Sequence, residues 1–298
     1  MPDWKEQRER GAIWSMRFML AACRLLGDRG VRPLLWPIVG YFLLTSAAAR
    51  RASHDFHRRI GRNGGWGDYY RQLMNFAQSL VDRIFLLSGR LGAYSIRPSG
   101  RELLLECARQ RRGAIILSAH FGSFEAGRAL MRQQHEVDVH FVAWHSASPK
   151  IRGVLDELDP SLHRLLIDPT TPDAIFRMRE VVENGGLLAI LGDRTAFGQK
   201  SVALDFLGEK VAFPAGPWLL AAALDCPIFL FLGLRTGSHT YEPQVELLAE
   251  RIELAGGLRD PRLAGHMQRY ADRLAHFARR HPENWFNFYD FWQWEQQV

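Results

Sequence analysis

The run Ile115-Ile116-Leu117-Ser118-Ala119-His120-Phe121-Gly122-Ser123-Phe124-Glu125 constrains this chain more than any other stretch. Gly113 punctuates, and the apolar residues of Ala114–Ser118 then read as a buried strand with a histidine at its C-terminal end. Gly122-Ser123 supplies a turn, and a helix is expected over Glu125–Gln134. A strand ending in His, followed by a helix carrying Glu, can bring a carboxylate to the imidazole. That is the pair a general base needs: the ring takes a proton from a hydroxyl while the carboxylate fixes the tautomer. The same spacing also suits a plain structural hydrogen bond. Position favours chemistry, because open α/β sheets bind ligands at the C-terminal ends of their strands.

The rest of the chain fits that frame. Residues 12–27 and 68–91 carry apolar and aromatic residues at helical spacing, separated by an apolar segment, a basic cluster and the Gly61–Gly67 loop. From about residue 93 strands alternate with helices. Strands are expected at Ser95–Pro98, Ala114–Ser118, Val137–Ala143, Arg164–Ile167, Leu187–Leu191, Ile228–Leu232 and, at an edge, Tyr241–Leu248. Helices are expected at Arg101–Gln110, Ile151–Leu158, Thr171–Glu183, Pro217–Leu224 and Leu263–Arg280. The pattern predicts an α/β fold with a central mixed sheet flanked by helices. An N-terminal helical, membrane-associating segment (1–92) would precede an α/β catalytic domain (93–298).

Charge and composition narrow the partners. The 298 residues are 47% hydrophobic, enough for a sizeable core, and carry a net charge of +6. The sequence pI of about 9.5 suits an anionic partner such as a membrane surface or a phosphorylated substrate. No helix-turn-helix, stacking motif or concentrated recognition helix is present, so nucleic acid is not expected. Cys23, Cys107 and Cys226 lack metal-site spacing and read as reduced, buried thiols, and neither a metal nor a cofactor is expected. Leu34–Ala49 is uncharged but short of the about 20 residues a full span needs, and Pro33 and Pro37 would bend it. A buried core helix, a shallow membrane insertion, and a span with Arg32 and Arg50 snorkelling at its ends all fit it. The cluster Arg50-Arg51-Ala52-Ser53-His54-Asp55-Phe56-His57-Arg58-Arg59 just beyond favours an anionic leaflet.

A second stretch, Ala189-Ile190-Leu191-Gly192-Asp193-Arg194-Thr195, repeats the logic of the first. Asp193 and Arg194 would emerge on the same sheet edge as His120. Arg194 could hold a phosphate or oxyanion, and a structural Asp–Arg pair bracing loops fits equally. A third stretch, Phe206–Pro217, places Gly208 in a tight turn and opens a helix at Pro214-Ala215-Gly216-Pro217.

His-x4-Glu at a strand end, then Gly-Asp-Arg, then Phe-Leu-Gly-x-x-Val-x-Phe-Pro-x-Gly-Pro, resembles the lipid A late acyltransferases (the lauroyl/myristoyl acyltransferase family) of the wider His-x4-Asp/Glu glycerolipid acyltransferase group. The resemblance spans roughly residues 10–292, including the ending His281-Pro282-Glu283-Asn284-Trp285-Phe286-Asn287-Phe288-Tyr289. It implies an enzyme on the cytoplasmic face of a bacterial inner membrane. Such an enzyme moves an acyl chain from acyl carrier protein, or coenzyme A, to a hydroxyl of a lipid or glycolipid. His120 matches the family's general base, Glu125 its partner, and Asp193 a family aspartate near the site. Arg194 stands where the family carries other residues. The family also has an arginine after the strand that follows the motif helix. Here His145 or Lys150 occupies that region and Arg152 lies just after, which leaves room for an acceptor other than a lipid A precursor.

Two other readings stand beside the transferase. Ser118 and Ser123 flank His120, as a thioester or lipid hydrolase would require, though no Gly-x-Ser-x-Gly elbow is present. A non-catalytic membrane lipid-binding protein would share the basic, aromatic-rich surface.

Overall fold

The computed structural model describes residues 13–125, 127, 139–143, 162–195 and 199–293. The helix expected at Ile151–Leu158 and most of that at Glu125–Gln134 lie outside them.

Four helices come first: α1 (Ile13–Val31), α2 (Leu35–Thr45), α3 (Ala47–Arg59) and α4 (Trp66–Leu87). The uncharged 34–49 segment is thus not one rod, because the chain breaks at Ser46. Pro37 is tolerated in the first turn of α2, where its missing N–H removes no helical bond. Leu35 and Val39 face inward, whereas Trp36, Tyr41 and Leu44 are exposed. Among the described residues no single helix is long and apolar enough to cross a membrane. The run Arg17–Thr45 meets that measure only together with α3, across an 87° bend.

A seven-stranded mixed sheet follows. Its strands are β1 (Ser95–Ile96), β2 (Ala114–Ser118), β3 (Val139–Val142), β4 (Leu166–Ile167), β5 (Leu187–Leu191), β8 (Ile228–Arg235) and β9 (Thr240–Ala249), in the order β1-β9-β8-β2-β5-β3-β4. β6 (Ser201–Phe206) and β7 (Glu209–Pro214) form a separate hairpin. Its two-residue turn has Leu207 at φ 51° and Gly208 at φ 94°, the left-handed pair that matches strand twist. β2 lies parallel to β5 on one side and to β8 on the other, and all five of its residues are buried. Alternation sorts the side chains of this sheet onto two covered faces. Ile115, Leu117, Leu188 and Leu230 join one core with α9 (Pro261–Arg280) and the hairpin aromatics. Ile116, Leu187, Ala189 and Phe231 meet α5 (Arg101–Arg109) through Leu104 and Cys107.

Two strand expectations need correction. Over Arg164–Ile167 the chain closes one helical turn, α6 (Leu162–Leu165), before β4, because β3 offers partners only to Leu166 and Ile167. β9 is not the sheet edge: β1 pairs beyond it, Ser95 against Thr240 and Ile96 against Tyr241. The helix expected from Thr171 begins at Ala174 as α7 (Ala174–Glu183), and α8 (Gly216–Leu224) follows the hairpin.

Near residue 92 the architecture changes from helices to sheet, and a buried charge network bridges the change. Asp82 of α4, with no exposed side-chain surface, accepts hydrogen bonds from Arg32 (2.8 Å), Arg235 Nε (3.0 Å), Tyr241 (2.6 Å) and Tyr94 (3.1 Å). Asn75 takes a second Arg235 nitrogen at 3.0 Å. The backbone N–H and C=O of Arg235 bond the side-chain amide of Asn284. A carboxylate so far from water is tolerable only while its cations are present. Asp82→Asn is therefore expected to cost about 3–5 kcal/mol of unfolding free energy. Adding Arg235→Met should recover part of that loss, as read by denaturant unfolding of both variants.

Candidate active site

The register of β2 against β5 builds the site. Ser118 lies opposite Leu191, and Gly192 N–H extends the ladder by one bond to Ser118 O at 2.9 Å. The residues that leave the two strands, His120 and Asp193, therefore come out side by side. The turn after His120 is pressed against β8. Gly122 has φ 74°, and a Cβ there would sit 2.2 Å from Gly233 O; one on Gly233 would sit 1.7 Å from Ser123 O. Only glycine fits either position.

Asp193 clamps the histidine at two points. Its Oδ2 accepts the His120 backbone N–H at 2.9 Å, and its Oδ1 faces Nδ1 at 3.0 Å. The carboxylate is fully buried, while 28% of the His120 side chain is exposed. Burial alone would raise the Asp193 pKa, but His120, Arg194 and Asn287 together outweigh it and hold the group down to about 2. An ionised carboxylate only accepts, so Nδ1 carries the ring proton and the lone pair of the neutral ring sits on Nε2. The ring's lone pair is thereby aimed from a sealed side toward an open one.

The pairing differs from the one expected of the motif. Glu125 is engaged elsewhere: its Oε1 lies 2.8 Å from Arg83 Nε of α4, and its Oε2 accepts from Ser123 Oγ at 3.2 Å. The carboxylate on the imidazole comes instead from the strand next door, and Glu125 ties the motif turn to α4. Ser118 Oγ donates to Phe231 O at 2.7 Å, so the bonds of both flanking serines run to groups other than His120.

Arg194 stands beside the pair. Its Nε donates to Asn287 Oδ1 at 2.7 Å, a terminal nitrogen reaches Phe286 O at 3.4 Å, and the guanidinium lies 5.2 Å from the Tyr289 ring centroid. His145 and Arg152, expected near the acceptor or oxyanion, lie outside the described residues. The opening of α8 is used internally, since Trp218 and Leu219 N–H both bond Ala215 O. Among the described residues no group of His, Cys, Asp and Glu comes together as a metal site.

Residues 284–289 form a strap; the sequence marks this stretch only through its resemblance to the family's ending, and nothing there points to His120. Phe121 and Trp285 pair antiparallel, Gly122 N–H bonds Asn284 O at 2.9 Å, and Phe286 N–H bonds His120 O at 2.8 Å. The strap carries Asn287, whose Nδ2 donates to Asp193 Oδ2 at 2.8 Å. Below the strand end, Tyr270 of α9 donates to Ser118 O at 2.9 Å, and burial raises its pKa well above the ordinary phenol value.

The depressed Asp193 pKa has a consequence for stability. Ionisation there favours the fold fully above about pH 4, and the benefit is lost as pH falls toward 2. Asp193→Asn is expected to flatten the acid side of the stability curve by on the order of 2 kcal/mol between those limits. Denaturant unfolding measured from pH 7 down to pH 2 checks it.

Compared with known families, residues 92–294 match the model described as bacterial lipid A biosynthesis acyltransferase. No curated protein matches the chain.

Proposed function

Because the chain belongs to the bacterial lipid A biosynthesis acyltransferase family, we propose that this acyltransferase uses His120 as the general base of an acyl transfer to a hydroxyl of a lipid or glycolipid. The donor in this reading is the thioester of acyl carrier protein or of coenzyme A. The observation that carries it is the Asp193 clamp, which leaves Nε2 as the proton acceptor on the open side of the ring. Nε2 takes the acceptor's O–H proton as its oxygen attacks the thioester carbon. Collapse of the tetrahedral intermediate forms the ester, expels the thiolate, and returns the proton from the imidazolium to sulfur. Asp193 stabilises that imidazolium without taking its proton. Arg194 is a described cation beside this chemistry, and it suits a developing oxyanion or an anionic donor group. From the sequence, His145 and Arg152 are further candidates for the acceptor side, and Glu125 serves by anchoring the motif turn.

The hydrolase reading has less to support it, since each flanking serine directs its hydroxyl to a group other than the base. Expressed in cells lacking the native gene, the wild-type chain is expected to yield a lipid heavier by one acyl group in extracts read by mass spectrometry. His120→Ala should lower transfer by roughly 10²–10⁴-fold with the fold intact. Asp193→Asn should fall in a comparable range, because it frees the wrong tautomer. Wild-type lipid profiles from His120→Ala would remove the general-base reading.

The N-terminal helices suit the cytoplasmic face of a bacterial inner membrane. Phe18, Leu25, Trp36, Tyr41 and Leu44 are exposed on α1 and α2, with Leu25 at 84% and Leu44 at 72%. Arg51, Arg58 and Arg62 are exposed on and just after α3, and Arg50 lies over the exposed Trp66 ring at 4.5 Å. Exposed apolar side chains on helices followed by exposed arginines suit helices lying in an anionic leaflet. Leu25→Asp with Leu44→Asp is expected to cut co-sedimentation with phosphatidylglycerol vesicles at least tenfold while leaving the unfolding midpoint near wild type.

A further inference from the structure

We propose that Asn287 is a positioning residue that keeps the Asp193 carboxylate on the imidazole and off the guanidinium beside it. The proposal rests on the reading of His120 as base. Asp193 and Arg194 are neighbours in sequence, and a carboxylate next to a guanidinium tends to close into a bidentate pair. Such a pair would turn the Asp193 lone pairs away from the ring. The Asn287 amide stands between the two. Its Nδ2 donates to Asp193 Oδ2 at 2.8 Å and its Oδ1 accepts Arg194 Nε at 2.7 Å.

Both ends of one short amide are used, and few other side chains serve. Aspartate would set a second carboxylate against the first. Leucine would offer neither a donor nor an acceptor, and serine has no planar fork to span the two groups. Asn287 is 1% exposed, so its amide meets no competing water. Its placement is tied to the ring it serves, because the preceding residue, Phe286, bonds His120 O. The titratable and charged groups around it are Asp193 and Arg194 from the β5 end, His120 from the β2 end, Tyr270 from α9 and Tyr289 from the strap itself.

The test is steady-state acyl transfer by the purified full-length chain in phospholipid vesicles. The donor is acyl carrier protein thioester, the acceptor is the lipid found by mass spectrometry, and rates are normalised to folded protein. Asn287→Ala is expected to lower kcat by about 10–100-fold with the donor KM within about threefold of wild type. Asn287→Asp keeps the volume and the acceptor for Arg194. It should move the acid limb of the kcat/KM profile up by about one pH unit, as the added charge favours the imidazolium. Asn287→Ser, whose hydroxyl ends one bond short of Asp193, should lose kcat as alanine does and serves if the aspartate variant does not fold. Wild-type turnover and pH profile in the Ala and Asp variants, or wild-type turnover in the Ser variant, would overturn the proposal. His120→Ala in the same assay separates the premises. If it is inactive while the Asn287 variants are unaffected, the positioning role alone fails; if it retains transfer, the general-base reading fails first.

Discussion

Asp82 is the constraint around which this molecule is arranged. A carboxylate with no exposed surface is a liability that two arginines and two tyrosines must offset together. Those partners come from the turn just after α1, from β8 and β9, and from the loop before β1. The N-terminal helices therefore cannot separate from the sheet without stranding charge. The same network continues through Arg235 to Asn284, the first residue of the strap, and the strap runs on to His120 and Asp193. Hydrogen bonds and the strap's backbone thus connect the N-terminal helices to the carboxylate that holds the His120 ring.

Elements buried on both faces were legible from sequence alone. β2 and β5 fall on the expected residues because an apolar run closed by Gly or His has one reading when both of its faces are covered. Legibility faded where a partner decided the outcome. Leu166–Ile167 is a strand only where β3 stops beside it, and β9 loses its place at the edge to a two-residue β1. The 34–49 segment showed its hydropathy but not its break at Ser46, which depends on how α2 and α3 pack against α4.

The site shows the same division. His120 and Asp193 were visible because each ends a buried strand. Their pairing was not, because it depends on β2 and β5 being adjacent in parallel register. The His-x4-Glu spacing pointed to the nearer carboxylate in sequence, and Arg83, thirty-seven positions before His120 in the chain, holds that one instead. Asn287 gave no sign of where it would sit: it is uncharged, its side-chain partners lie more than ninety residues away, and its stretch reads as aromatic core.

The strap also sets an order of events during synthesis. Every strand of the sheet, through Ala249, leaves the ribosome before Asn284 does. A nascent chain can hold a finished sheet, with His120 and Asp193 already adjacent, while α9 and the strap are still being made. Over that interval the carboxylate lacks its amide donor and the turn after His120 lacks its backbone partners. A product truncated near residue 280 would be expected to resemble the whole protein in its sheet and its N-terminal helices and still lack the strap's hold on His120 and Asp193, so its abundance would be a misleading proxy for activity.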